Sequence, residues 1–321
     1  MSNKMLPFFM LCETPLHVGV GSDVGIVDMP IQRERHTNWP KIEASGIKGC
    51  IRSAFEKKYK DNIKKQIDIN VVFGYDENGL IKEIKDKFGN DKDFSGSLGF
   101  TDARILLFPV KSLKGIFAWV TCPAVLDRLK TDLKIAGTGD IKFRYKEKSV
   151  SEDSSCLICK NENYKIVLEE YTIDVDKEDK SREIIDWLSD NILPDDEVYK
   201  PLKKKMKKDI IVLDNDSFND FVKLSTEVIT RTKIDNATGT VKNTGLFTEE
   251  YLPTETIMYS TAIISPIFSN YKGFFNQNNS AKEIKDFFIE NINNKTIQIG
   301  GNSTLGKGLT SIKILEKSEV S

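Results

Sequence analysis

The folds open to this chain are limited most by its rhythm. Short strand-like apolar runs alternate with helix-period segments, without the regular strand–helix–strand beat of a nucleotide-binding fold. Phe8 to His17 reads as a strand closed by Pro15 and the glycines beyond it. Gly19, Gly21 and Gly25 then form a loop that carries Asp23 and Asp28. After Pro40, the recurrence of Ile47, Ile51, Phe55 and Tyr59 every four residues predicts a helix over about Ser45 to Tyr59. Lys48 and Arg52 stand one turn apart on a neighbouring face of it. Residues 60–95 are mostly polar and read as an insertion or a loosely packed region.

Two strands are expected at Gly99 to Val110 and Gly115 to Cys122, then a helix opened by Pro123. The stretch Gly137 to Asn163 reads as a polar excursion. Strands at Ile166 to Ile173 and Ile210 to Leu213 alternate with helices at Arg182 to Ile192 and Ser217 to Leu224. The chain closes with a strand at Thr256 to Ile264, a helix at Ala281 to Ile292 and a strand at Thr296 to Ile299. A glycine loop and a last strand, Leu309 to Leu315, follow. Paired strands interleaved with helices suit an α+β fold of ferredoxin-like (RRM-like) type with long insertions. That fold hosts many RNA-binding modules but assigns no function by itself.

Composition sets outer limits. The longest apolar stretches, such as Ile105 to Val110, are far too short to cross a bilayer. Met1 to Lys4 shows no secretory pattern, and five cysteines in 321 residues fit a reducing compartment, so a cytoplasmic location is expected. A net charge of −1 excludes a uniformly basic nucleic-acid binder. Any RNA contact must use basic residues gathered on one face.

Four clusters could carry chemistry. Asp28, in a glycine-rich loop followed by Arg33, Glu34, Arg35 and His36, could hold a metal ion or orient an attacking hydroxyl, although loop aspartates often only cap turns. The chain's two histidines, His17 and His36, flank that loop, and a two-histidine acid–base site is conceivable. In Gly300-Gly301-Asn302-Ser303-Thr304-Leu305-Gly306-Lys307-Gly308, glycines permit close backbone approach to phosphate and Lys307 adds charge. Gly308 after Lys307 excludes a Walker loop. The same loop could equally be a tight connection between strands. Lys48 and Arg52 could grip phosphates or form a solvated face. Cys156 and Cys159 supply half a tetrahedral zinc site, with no second pair downstream. The lysine run Lys200 to Lys208 reads as solubilising surface.

Together these segments resemble the RAMP superfamily of CRISPR proteins. The resemblance rests on His17-Val18-Gly19-Val20-Gly21, Gly25 through Glu34, Ser45-Gly46-Ile47-Lys48-Gly49, Phe100-Thr101-Asp102-Ala103-Arg104, Ser112-Leu113-Lys114-Gly115 and the Gly300 to Gly308 loop. Gly46-Ile47 stand where the family more often has serine and leucine. Arg231 to Pro253, with Leu246-Phe247-Thr248-Glu249-Glu250-Tyr251-Leu252-Pro253, resembles more narrowly the repeated backbone subunit of type III-B (Cmr) complexes.

The resemblance implies one RAMP domain over 1–321, with inserted segments at 60–95 and 137–225 and a thumb hairpin at 231–255. It implies a metal-dependent endoribonuclease that polymerises along a CRISPR guide RNA and cuts complementary target RNA, with other copies of itself and other Cmr subunits as partners. Asp28 matches the family's catalytic, metal-holding loop aspartate, with Mg2+ or Mn2+ expected. His17, Glu249 and Glu250 match supporting positions near the target strand. Lys48, Arg52, Gly300, Gly301, Gly306, Lys307 and Gly308, with Arg231 and Lys242 on the hairpin, are expected on RNA. A non-catalytic guide-holding subunit and a stand-alone guide-processing RAMP endoribonuclease are the alternatives.

Overall fold

In a computed structural model, the structure describes residues 4–22, 25–76, 82–89, 93–138, 144–160, 163–177, 181–275 and 280–316. Asp23 and the side chain of Cys159 lie outside them.

A mostly antiparallel sheet runs through the molecule, and the strand Lys4–Cys12 lies inside it, third from one end. That strand pairs antiparallel with Ile257–Ile264 on one side and Leu309–Ile314 on the other. Seven consecutive residues, Leu6 to Cys12, are buried, which an unbroken apolar run achieves only when both sheet faces are covered. The aromatic pair shows the two layers. Phe8 packs edge-on to Phe288 of the helix Ser280–Ile292, whereas Phe9 packs on Trp187 of the helix Arg182–Asn191. Beyond Ile257–Ile264 the sheet continues through Ala103–Lys111 and Phe117–Thr121. Ile210–Val212 then pairs parallel to Phe117–Thr121.

The helix Ala44–Lys58 forms as its four-residue period predicts. Ile47, Ile51 and Phe55 are buried, and the Asp102 carboxylate accepts from the Ala44 amide at its start. Pro123 opens the helix Pro123–Ile135, as expected. The expected strand Gly99 to Val110 is two strands, Leu98–Phe100 and Ala103–Lys111, because Asp102 leaves the ladder to cap the helix Ala44–Lys58.

Three expectations are corrected. Within 60–95, Ile63–Phe73 is a helix rather than loose chain, with Ile67, Ile69, Val71, Val72 and Phe73 buried. Its hydrophobic side is interrupted by Asp68 and Asn70, which are also buried and hydrogen-bonded, and this disguised the period. Ile166 to Ile173 is not one strand but a hairpin, Asn163–Leu168 and Tyr171–Asp174, turning at Glu169 with a positive φ of 49°. The lysine run is the helix Lys200–Asp209. Its Lys205 is not solubilising surface: Nζ donates to the carbonyls of Gly115 and Phe117 and to buried Asp209. Among the described residues no helix is long and apolar enough to cross a membrane.

A two-stranded antiparallel hairpin, Glu227–Ile234 with Val241–Tyr251, stands apart from the main sheet. Its second strand feeds through Leu252 into the central strand Ile257–Ile264. The base of the hairpin is thereby fixed to the core, while its far end is exposed.

Candidate active site

The loop that follows the opening strand is held along the base of this hairpin, backbone to backbone. Leu16 and Leu252 exchange two hydrogen bonds of 2.9 Å. The Met29 amide donates to the Thr248 carbonyl at 3.0 Å, and the Glu250 amide donates to the Met29 carbonyl at 3.0 Å. Residues about 220 apart in sequence are thus joined by main-chain bonds, and side chains complete the attachment.

Asp28 is exposed, and Thr248 grips it. The Thr248 amide and hydroxyl both donate to Asp28 Oδ2, at 2.8 and 2.9 Å, and the Asp28 amide donates back to Thr248 Oγ1 at 3.0 Å. The bond from the Thr248 amide, then that from its hydroxyl, holds the Asp28 carboxyl below the ordinary aspartate value. The group is an anion at neutral pH with an edge open to solvent.

Glu250, two strand positions on, points to the same side and is buried. Its Oε2 accepts from the Ile31 amide at 3.0 Å, and its Oε1 accepts from Arg33 at 2.5 Å and from Thr226 at 2.7 Å. Glu249 points the other way, also buried, and ties the hairpin to the glycine loop. It pairs with Arg231 and accepts from the Tyr251 hydroxyl at 2.5 Å and from Asn302 at 3.2 Å. Burial pushes its pKa up, but Tyr251, Asn302 and Arg231 hold it below the ordinary glutamate value. Both glutamates therefore act on this loop and hairpin from inside the fold.

His17 is buried beneath the same corner. Its Nδ1 lies 2.7 Å from the Glu250 carbonyl, which can only accept, so Nδ1 carries the proton. Its ring lies 5.4 Å from Tyr251, and its backbone carbonyl accepts from the Gly301 amide at 2.9 Å. That last contact explains a glycine. A Cβ at Gly300 would fall 2.2 Å from the His17 carbonyl oxygen, in a backbone with φ of +74°. Gly308, at φ +77°, is equally constrained by the Ile299 carbonyl, whereas Gly306 faces open space. Lys307 extends its ammonium over the Tyr251 ring at 5.1 Å. His36 is exposed and lies against Arg128 and Glu34, so the two histidines share no neighbour that would join them in one acid–base pair.

The basic residues separate into free and engaged. Lys48 is half-buried with no hydrogen bond or ion pair among the described residues; burial, then the charge of Arg52, lowers its pKa. Lys242 is exposed on the hairpin. Arg52 is engaged: it donates to Glu56, to the Gly74 carbonyl and to Asn70. Arg231 is likewise paired with Glu249 and bonded to the Tyr251 hydroxyl. Thr248, Tyr251 and Asn302 were not singled out by sequence reading, because their partners lie far off in the chain and no spacing signals them.

No cluster of three His, Cys, Asp or Glu side chains suited to a metal occurs among the described residues, and Asp28 offers an exposed carboxylate. A single exposed carboxylate fits Mg2+, which commonly takes one or two carboxylates and completes its shell with water and substrate phosphate oxygens. Cys156 is buried, with Sγ turned to the Phe117 carbonyl.

Comparison with known proteins gives the family. The RAMP-superfamily profile matches residues 10–311. The CRISPR system Cmr endoribonuclease Cmr4 of Pyrococcus furiosus is 36% identical over 303 residues, covering 94% of this chain and 93% of that one. The chain belongs to the RAMP superfamily and, within it, to the Cmr4 family. The CMR subunit Cmr4 of Saccharolobus solfataricus is 27% identical, with 96% of both chains covered. A crystal structure of oligomeric Cmr4 from Pyrococcus furiosus superposes with a TM-score of 0.68 over 98% of both chains, at 28% identity. A subunit of a type III-B Cmr-beta complex bound to cognate target RNA shares the fold at a TM-score of 0.70, covering 97% of this chain and 96% of that one at 21% identity.

Proposed function

We propose that this chain is a guide-RNA-binding backbone subunit of a type III-B CRISPR effector complex in the cytoplasm, and that it cleaves complementary target RNA at regular intervals. Membership of the Cmr4 family supports this, as do the endoribonuclease activity of the Pyrococcus relative and the fold shared with a complex bound to target RNA. Its partners are the guide, the target, other copies of itself and other Cmr subunits. In this reading the central sheet and its helices contain a ferredoxin-like core. The hairpin Glu227 to Tyr251, which overlaps the expected 231–255 thumb and begins four residues earlier, is the thumb, and 60–95 and 137–225 are insertions.

The observation that carries the catalytic assignment is Asp28: an exposed carboxylate, kept ionised and fastened to the base of a protruding hairpin. Lys48 and the Gly300 to Gly308 loop with Lys307 offer an unpartnered ammonium and close backbone approach for the guide's phosphates. Binding the backbone alone lets one protein accept any guide sequence, while base pairing reads the target. Lys242 on the exposed hairpin reaches towards the duplex. Arg52 and Arg231 shape these surfaces through their internal bonds.

Cleavage follows from alignment of the target's own 2′-hydroxyl with the adjacent phosphorus. The 2′-oxygen forms a bond to phosphorus as its proton leaves, the bond from phosphorus to the 5′-oxygen breaks, and that oxygen takes up a proton. Asp28 accepts or orients the departing proton and would hold a divalent cation. Such a cation, when bound, stabilises charge building on the phosphate oxygens. The products are a 2′,3′-cyclic phosphate and a 5′-hydroxyl.

The test is target cleavage by the reconstituted guide complex with Mg2+ or Mn2+, comparing wild type with Asp28→Ala. Loss of evenly spaced cuts with target binding intact is expected. Unchanged cutting would leave the chain as a guide-holding scaffold, and 3′-hydroxyl ends would sink the 2′-hydroxyl route.

A further inference from the structure

We propose that Thr248 is the positioning residue of this site: a clamp that fixes the rotamer of Asp28. This rests on the reading of Asp28 as the cleaving carboxylate.

Three bonds join the two residues, and they form a closed set. The Thr248 hydroxyl has one hydrogen, which it gives to Asp28 Oδ2 at 2.9 Å, and the same oxygen accepts the Asp28 amide at 3.0 Å. The Thr248 amide gives a second hydrogen to Oδ2 at 2.8 Å. One carboxylate oxygen is thus spent on the protein, and the other edge of the group is turned outward. An aspartate on an exposed glycine-bearing loop would otherwise sample several rotamers, and ordering it only on substrate arrival would cost rate.

Thr248 is itself held. Its carbonyl accepts the Met29 amide, and it lies directly opposite Thr230 on the partner strand. The next residue, Glu249, anchors the strand to Arg231, Tyr251 and Asn302, and Glu250 anchors it to Ile31 and Arg33. The threonine side chain therefore works from a fixed base, while the aspartate it grips lies on the less constrained partner. Its β-branched shape suits the strand, so the hydroxyl can be removed without changing the fold.

The discriminating variants are Thr248→Val, which keeps shape and loses the hydroxyl, and Thr248→Ser, which keeps the hydroxyl. In the reconstituted guide complex, Thr248→Val should cut single-turnover target cleavage by roughly ten-fold or more, since the lost hydroxyl both donates to the charged Oδ2 and accepts the Asp28 amide. Guide loading and target affinity should stay unchanged. Thr248→Ser should restore the rate. Thr248→Val should lower kcat for target cleavage with KM unchanged, a split that a merely structural threonine would not give. Wild-type cleavage by Thr248→Val, with Asp28→Ala inactive, would overturn the clamp alone. Failure of serine to rescue, or a rate loss matched by lost target affinity, would also overturn it. Full activity in Asp28→Ala would overturn the cleavage reading and the clamp together.

Discussion

Glu250→Ala should destabilise the chain by about 3 kcal/mol through the loop rather than through the hairpin's own ladder. The carboxylate is only 7% exposed and Arg33 only 15% exposed. Its removal strands three donors: the Ile31 amide, the Thr226 hydroxyl and one arm of Arg33. A buried unsatisfied donor costs roughly 1 to 3 kcal/mol, and breaking a buried ion pair about 3 to 5 kcal/mol. The lower end applies here because Arg33 keeps two other acceptors, the carbonyls of Asn38 and Val222. With an unfolding entropy of roughly 2.1 cal/mol/K per residue, that loss lowers Tm by about 4 to 5 °C for a chain this long. Urea unfolding followed by the buried Trp39 and Trp119 gives the free energy, and calorimetry gives Tm. Replacing both partners, Arg33→Met with Glu250→Leu, should cost less than the sum of the single changes, because no charge is left unpaired. A Glu250→Ala loss below about 1 kcal/mol, or strict additivity in the double variant, would refute the claim that this pair staples the loop.

Other outcomes follow from the same geometry. Lys48→Met should slightly stabilise the RNA-free chain, since it removes a half-buried charge with no described partner. It should also weaken guide binding and reduce the salt slope by about 0.7, the share of one single-strand phosphate contact, in a filter-binding titration over salt. Gly308→Ala should prevent stable folding of the loop, because its Cβ meets the Ile299 carbonyl at 2.0 Å, whereas Gly306→Ala should cost only about 1 kcal/mol of left-handed strain; thermal melts separate them. The Asp28–Thr248 tie belongs to a carboxyl whose folded pKa is lowered, so it contributes above the ordinary aspartate value and is lost as pH falls through the lower folded one. Carbon NMR of Asp28 should therefore give a midpoint below that of an ordinary aspartate, and a midpoint at or above it would contradict the hydrogen-bond pattern.

How far the sequence could be read depended on whether a feature is local. The helix at Ala44–Lys58 announced itself because Ile47, Ile51 and Phe55 repeat at the period that puts them on one face. The opening strand announced itself as an apolar run, whereas the need for glycine at 300 and 308 came from the His17 and Ile299 carbonyls, which no spacing signals. Asp28 stood out by its loop. What holds it did not, because Thr248 lies 220 residues away and threonine in a strand is unremarkable.

The same limit hid how two segments meet. Residues 60–95 were expected to be an insertion or a loosely packed region, and Arg52 was expected on RNA. In the fold, the helix Ile63–Phe73 packs against Ala44–Lys58, and the polar residue that hid its period, Asn70, accepts from Arg52, as does the Gly74 carbonyl at its end. The arginine is occupied because the segment is ordered. Lys48, one turn earlier, meets no such partner and keeps its ammonium free among the described residues. Two cations one turn apart on one helix thus differ: Arg52 is bonded within the fold, and Lys48 has no described partner. If that division is correct, Arg52→Ala should lower stability more than guide affinity, and Lys48→Ala the reverse. The opposite ranking would return Arg52 to the RNA surface.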